Sequence, residues 1–171
     1  LGQVASVQLD NRIPIEKLPA AINYRLPPAI RIVAAEEVPA DFHARYNAVA
    51  KTYEYRIWRG QICPPFIRRY VWHLPYPLDE VGVIAAAPLF EGEQDFRSLA
   101  TNGGQEMETT VRTIFSSRLV REGDQLTYRV RGSGFLYNMV RIIAGTLVEI
   151  GRDRMPVGRV DEILATADRQ L

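Results

Sequence analysis

Cysteine, histidine and lysine are all scarce: of 171 residues one is cysteine, two are histidine, and only Lys17 and Lys51 of the 21 basic residues are lysine. Cys63 alone makes no internal disulfide. With only His43 and His73 beside it, a protein-built metal site is not expected. Apolar runs fall far short of the roughly 18 residues that a membrane helix needs; the stretch 81–90 is stopped by Glu91, Glu93 and Asp95. The opening LGQVASVQLD shows no basic segment ahead of an apolar one, as a secretory leader would. No repeat is visible, and no linker is long enough to separate two independent domains. These absences predict a soluble, cytoplasmic protein without metal or membrane anchor.

What is present is ordinary in amount and uneven in placement. A 47% hydrophobic, 24% charged chain of this length can remove roughly 70% of its unfolded surface from water, which excludes disorder, collagen and coiled coil. The formal net charge is +1. From Phe42 to His73, however, Arg45, Lys51, Arg56, Arg59, Arg68 and Arg69 face Glu54 alone, and eight of the sixteen aromatics lie in the same stretch. From Asp79 to Glu108 the balance reverses, with seven acids against Arg97. Guanidinium groups pair bidentately with phosphate and stack on bases, so arginine interleaved with aromatics suits folded RNA and unstacked nucleotides. A lineage bias toward arginine with a solvated basic face fits the composition equally well.

Periodicity predicts a strand over 3–9, a helix over 14–23 bent or interrupted at Pro19, and a strand over 30–38. The clearest strand is 51–58, with Tyr53, Tyr55 and Ile57 on one face and Thr52, Glu54, Arg56 and Trp58 on the other. The proline-rich stretch 63–77 reads as an irregular connection and 78–90 as a helix with Asp79 and Glu80 in its first turn. Strands over 110–121 and 125–132 flank the hairpin signal Glu122-Gly123-Asp124. An amphipathic helix over 137–150 ends at Gly151, and a last helix runs from Pro156 to about residue 167. Strand, helix, strand, strand, helix is the order of a ferredoxin-like α+β unit without its final strand. The chain is therefore expected to be cut at its C-terminus, and at its N-terminus, which begins inside a strand.

Four groups of residues are more specific than any of this. Asp41-Phe42-His43-Ala44-Arg45-Tyr46 and Lys51-Thr52-Tyr53-Glu54-Tyr55-Arg56 come first. Residues 90–96 (FEGEQDF) with Thr110-Val111-Arg112-Thr113-Ile114 follow, and then 134–147 (GFLYNMVRIIAGTL). In order and spacing they resemble the bacterial tRNA pseudouridine synthase A family, and Leu1-Gly2-Gln3-Val4 and Ala167-Asp168-Arg169 are similar to further segments of it, so the likeness spans essentially the whole chain. It implies an α+β pseudouridine synthase fold: ferredoxin-like halves with a mixed, largely antiparallel sheet packed by helices, residues 1–46 being the remainder of the N-terminal half and 47–171 the C-terminal half. It also implies an isomerase acting on uridines of the tRNA anticodon stem-loop as a homodimer, with tRNA lying across both subunits.

One departure matters for activity. The family's nucleophilic aspartate lies in an Arg-Thr-Asp-x-Gly-Val-His loop just before the segment that Gly2-Gln3-Val4 matches, and no such loop occurs in these 171 residues. Asp10, Asp41 and Asp95 lack its context, so the chain as given is expected to be inactive. Ser133 stands where the family often has Asn.

The reaction breaks the bond from uracil N1 to ribose C1′, turns the base and joins C5 to C1′. It needs no redox step or external energy, so no cofactor is implied. The resemblance makes Arg141, in the Met-Val-Arg match, the residue that orients the aspartate and favours its charged form. By default a helix arginine forms a structural ion pair. Tyr53 matches the tyrosine that stacks on the target uracil and assists proton removal from C5; a strand tyrosine would otherwise be a packing residue, as Tyr55 is expected to be. Arg45 is assigned to phosphate or pocket contact, while His43 and Cys63 carry no chemistry. Gly132, Gly134, Gly145 and Gly151 match no phosphate-loop pattern and are ascribed to close packing and helix termination. The alternative class is a non-catalytic RNA-binding module on the same scaffold; a purely structural interaction domain would show no RNA affinity.

Overall fold

The computed structural model describes residues 2–10, 12–101 and 109–166. They form two compact units, Leu1–Ala48 and Val49–Leu171.

In the first unit, a 3-10 turn at Ile15–Lys17 leads into α1, Leu18–Arg25. The helix expected over 14–23 is thus divided just ahead of Pro19 into this 3-10 turn and α1. The proline falls in the first turn, where its missing N–H would have had no intrahelical partner. The strands expected over 3–9 and 30–38 do not form. A strand exists only by pairing with a neighbour, and among the described residues neither segment meets one. Val4, Val7, Leu9, Ile30 and Val33 are all exposed. The backbone of Ile32 instead bonds the Asn23 amide in both directions, each at 2.8 Å, and Ser6 Oγ accepts from the Ala44 N–H at 2.9 Å.

The second unit is built on a five-stranded sheet. Alternation sets β1 at Lys51–Trp58, and β4 (Val111–Glu122) and β5 (Gln125–Gly132) form a hairpin. The hairpin turns through Gly123 and Asp124, where only the first of the two has positive φ, +56° at Gly123, as in a type II′ turn. β1 pairs antiparallel with β5 from Lys51↔Gly132 to Trp58↔Gln125. Two short strands lie in stretches where periodicity predicts none: β2, Trp72–His73, inside the proline-rich connection, and β3, Gly92–Asp95. Two and four residues are too few to show a period. β2 is held parallel to the end of β1, with the Leu74 N–H donating to the Trp58 carbonyl at 2.9 Å; β3 lies antiparallel to β4. The sheet order is β2-β1-β5-β4-β3, a mixed, largely antiparallel sheet.

Helices cover one face of this sheet. α2, Glu80–Ala86, is capped by Asp79, whose carboxylate accepts the Gly82 N–H at 3.0 Å. Pro88 converts the remainder of the expected helix into a 3-10 turn, Ala87–Phe90. α3 is Met139–Gly151 and α4 is Arg159–Ala165; α4 starts three residues later than expected, and its expected end at 167 lies outside the described residues. Ile57, Ile114, Leu126, Tyr128 and Val130 from the sheet are buried against Val83, Phe90, Met139, Ile143, Leu147, Val160 and Ile163. Each such side chain contributes on the order of 1.5 to 3 kcal/mol. Gly151, the last residue of α3, lies where a Cβ would run into Val83 and Leu78, so close approach accounts for this glycine, whereas the helix is closed two residues later by Asp153, with φ 57°, and by the Arg154 N–H donating to the Glu149 carbonyl at 3.0 Å. Nothing lies near a Cβ at Gly145, so close packing does not account for that glycine.

Candidate active site

Tyr53, Tyr55 and Ile57 point to the helix-covered face, and their burial falls along the strand. Ile57 is 1% exposed, Tyr55 is half-buried and Tyr53 is 49% exposed. Tyr55 packs edge-on against Trp72 with centroids 6.2 Å apart. Tyr53 extends past the cover of the helices, and its ring meets Phe135 edge to face at 5.2 Å and 87°. Its hydroxyl has no hydrogen-bond partner among the described residues. Phe135 lies on the connection from β5 into α3, so it joins Tyr53 to the segment that delivers Arg141.

That connection is held at several points. Gly132 permits it, because a Cβ there would stand 2.7 Å from the Thr113 carbonyl. Ser133 bonds Thr113 through its backbone N–H at 2.9 Å and accepts the Thr113 N–H on Oγ at 3.1 Å, so the residue that departs from the family pattern closes the hairpin end. Asn138, immediately before α3, takes a left-handed backbone with φ 60° and ψ 1°, a conformation Asn tolerates better than most residues. Its amide donates to Thr101 Oγ1 at 2.9 Å, and the Thr101 N–H donates to the Tyr137 carbonyl at 3.1 Å. Spacing alone offered no sign of this clamp; the single available signal was an Asn at a helix start.

Arg141 is the third residue of α3 and is exposed. The structural ion pair that a helix arginine makes by default is absent: among the described residues no carboxylate pairs with it. The first turn of α3 holds no acidic residue either. A guanidinium there adds to the partial positive charge of the helix N-terminus instead of offsetting the negative end. The result is an exposed cation at the start of α3, on the element that follows the Phe135 connection.

The basic and aromatic stretch 42–73 divides. Arg59 does not face solvent: its side chain is 8% exposed, bonds Glu80 at 2.8 Å and donates to the Leu74 carbonyl. Arg121 pairs with the same carboxylate. Burial opposes ionisation of Glu80, but the hydrogen bonds from Arg59 and Arg121 prevail and hold its carboxyl below the usual range. Trp58 donates its indole N–H to the Ile62 carbonyl at 2.9 Å, and Cys63 is half-buried beside Pro64. Arg68, Arg69, Phe66 and Tyr70 are exposed. In the first unit, Arg45 is exposed with its guanidinium 5.7 Å from the Tyr46 ring centre. His43 accepts the N–H groups of Arg45 and Tyr46 on Nδ1 and so has a local structural role.

Asp95 is committed to the fold. A hydrogen bond from Thr110 outweighs the cost of its burial, the Arg97 N–H adds a second, and its carboxyl is held below the ordinary range. Among the described residues no group of three or more His, Cys, Asp and Glu could hold a metal ion, and no helix is long and apolar enough to cross a membrane.

An α+β unit with this sheet, one face covered by helices, has the pseudouridine synthase fold. Residues 86–171 match the family model described as tRNA pseudouridine synthase. The tRNA pseudouridine synthase A of Solibacter usitatus is 56% identical over 154 residues, covering 89% of this chain and 64% of that protein. The proteins of the same name from Halalkalibacterium halodurans and Caldicellulosiruptor saccharolyticus are 43% and 41% identical over 169 residues, covering 99% of this chain and 64% and 69% of theirs. The chain belongs to the tRNA pseudouridine synthase family. It spans somewhat less than two thirds of the length of the first two relatives.

Proposed function

We propose that this chain carries the base-stacking and nucleophile-orienting half of an isomerase that converts uridine in the tRNA anticodon stem-loop to pseudouridine. The observation that carries the proposal is Arg141: an exposed guanidinium in the first turn of a well-anchored helix, with no carboxylate among the described residues to satisfy it. An aspartate brought there would be held ionised, and the planar fork would fix its direction toward ribose C1′. Tyr53 offers its half-exposed ring to a uracil extruded from its stack, and an unpartnered hydroxyl that can relay the C5 proton after C5 has joined C1′, giving up its own proton toward water or N1 as it takes that one. Arg45 contacts RNA phosphate or lines the pocket. No cofactor is required, since the same atoms leave as arrive. In this proposal residues 1–46 are the remainder of the first half and 47–171 the second half, and the protein works in the cytoplasm as a homodimer with tRNA as substrate.

Tritium release from tRNA labelled at uridine C5 tests it on two proteins: the 171-residue chain, and the same chain preceded by an Arg-Thr-Asp-x-Gly-Val-His loop in the family's register. The first is expected to release nothing above background and the second to turn over. Turnover by the first would overturn the placement of the aspartate, and silence from both would refute the proposed activity.

A further inference from the structure

The face of the sheet that the helices leave open carries a set of arginines that folding does not explain. The register places Arg56 on β1, Arg129 and Arg131 on β5, and Arg118 on β4 on that face, and all four are exposed. Glu54, the carboxylate among them, is shared by Arg56 at 3.2 Å and Arg129 at 2.9 Å. Arg118 and Arg131 pair with no carboxylate among the described residues. Arg118 stands directly opposite Arg129 in the β4–β5 ladder, an arrangement of like charges that costs stability in a sheet. The β4 irregularity at 114–116 brings Phe115 to this side, 48% exposed, with the Arg131 guanidinium 5.7 Å from its ring centre.

We infer that this open sheet face is a docking surface for the phosphate backbone of RNA, distinct from the end of the sheet where Tyr53 stands. It rests on the proposal above that RNA is the substrate. Side chains on a strand stand perpendicular to the sheet, and Arg129 and Arg131 are separated by about 6.7 Å along β5. The face therefore presents several cations, of which Arg118 and Arg131 have no acid partner among the described residues, while Glu54 engages Arg56 and Arg129 and Glu122 lies at the turn end of the same face. Arginine with an aromatic neighbour suits a sugar–phosphate strand better than a point-charge lysine would. A second copy is a poor occupant, because a two-fold contact through this face would set the same arginines against one another.

The test is the salt dependence of tRNA binding by the chain carrying Arg118→Gln and Arg131→Gln, which leaves the Arg129–Glu54 pair in place. Anisotropy of fluorescent tRNA should show weaker binding and a log-affinity against log-salt slope shallower by about 0.7 to 0.9 per lost phosphate contact. Arg118→Lys with Arg131→Lys should recover most of the slope. A parental slope in the glutamine variant would overturn the docking surface and leave the proposed function standing, whereas a parent that binds no tRNA would refute both. A changed sedimentation coefficient at unchanged slope would assign the face to a contact between copies. A lowered Tm in both the glutamine and lysine pairs would assign these arginines to the fold. Either result overturns the inference.

Discussion

Replacing Arg141 by glutamine should leave the fold as stable as before, or slightly more so, and this sign separates a positioning arginine from a structural one. The side chain lies in the first turn of α3 with no carboxylate partner among the described residues. Its removal therefore breaks no ion pair and relieves a cation set against the positive end of the helix dipole. That unfavourable term is about 0.3 to 1 kcal/mol at low ionic strength, which for a chain of this size is a rise in Tm of roughly 1 to 4 °C. It should fade toward 1 M salt, where the Debye length is about 3 Å. Arg141→Lys tests the other half on the protein carrying the aspartate loop. Lysine keeps the charge but loses the fork, and with it one charge-assisted hydrogen bond worth about 1.5 to 3 kcal/mol. The expected loss in kcat is about 10- to 150-fold, with Tm and tRNA affinity close to the parent. Thermal melts over a salt series and single-turnover rates on the same preparations decide the matter. A salt-sensitive fall in Tm for Arg141→Gln would show a structural ion pair, and parental turnover by Arg141→Lys would refute the orienting role.

Tyr53→Phe keeps the ring that meets Phe135 and removes only the unpartnered hydroxyl, so it should fold normally and be slow after glycosidic cleavage, whereas Tyr53→Leu should be poor in tRNA binding as well; quench-flow with product analysis distinguishes them. Glutamine at Arg45, Arg68 and Arg69 should flatten the salt dependence of tRNA affinity by about 0.7 to 0.9 for each side chain that meets phosphate, and an unchanged slope would return these arginines to the solvated surface. Glu80 has a carboxyl held below the usual carboxylate range, the hydrogen bonds from Arg59 and Arg121 outweighing the cost of its burial. Its contribution to stability is therefore fully present above about pH 4.5 and is lost as pH falls through the lower folded value; Glu80→Gln should remove that part of the acid dependence in pH-dependent melts and lower stability near neutrality by leaving Arg59 buried without its partner.

The two halves of the chain were not equally legible. β1, β4 and β5 follow from alternation alone, since each is half-buried and eight or more residues long. α3 follows from its apolar stripe, although the cap that closes it is Asp153 and not Gly151. The segments 3–9 and 30–38 alternate too, yet alternation states only which face could be buried, and neither meets a neighbouring strand among the described residues. β2 and β3 are the converse, strands of two and four residues made by their neighbours and not by their own pattern.

The same division runs through the site. Tyr53, Arg45 and Arg141 are proposed as site residues from residue type within ordered motifs, because chemistry constrains side-chain identity at fixed places in the chain. Sequence also settled the α+β class and the family, both of which rest on periodicity and motif order. Burial, pairing and charge environment belong to the folded chain: Arg59 and Arg68 are indistinguishable as letters, yet one is buried against Glu80 and the other is exposed. Only the ladder register sets Arg118 across from Arg129, and only the packing of the β5–α3 connection brings Phe135 onto Tyr53. These are contacts between residues distant in sequence, so their energies depend on positions that no local pattern encodes.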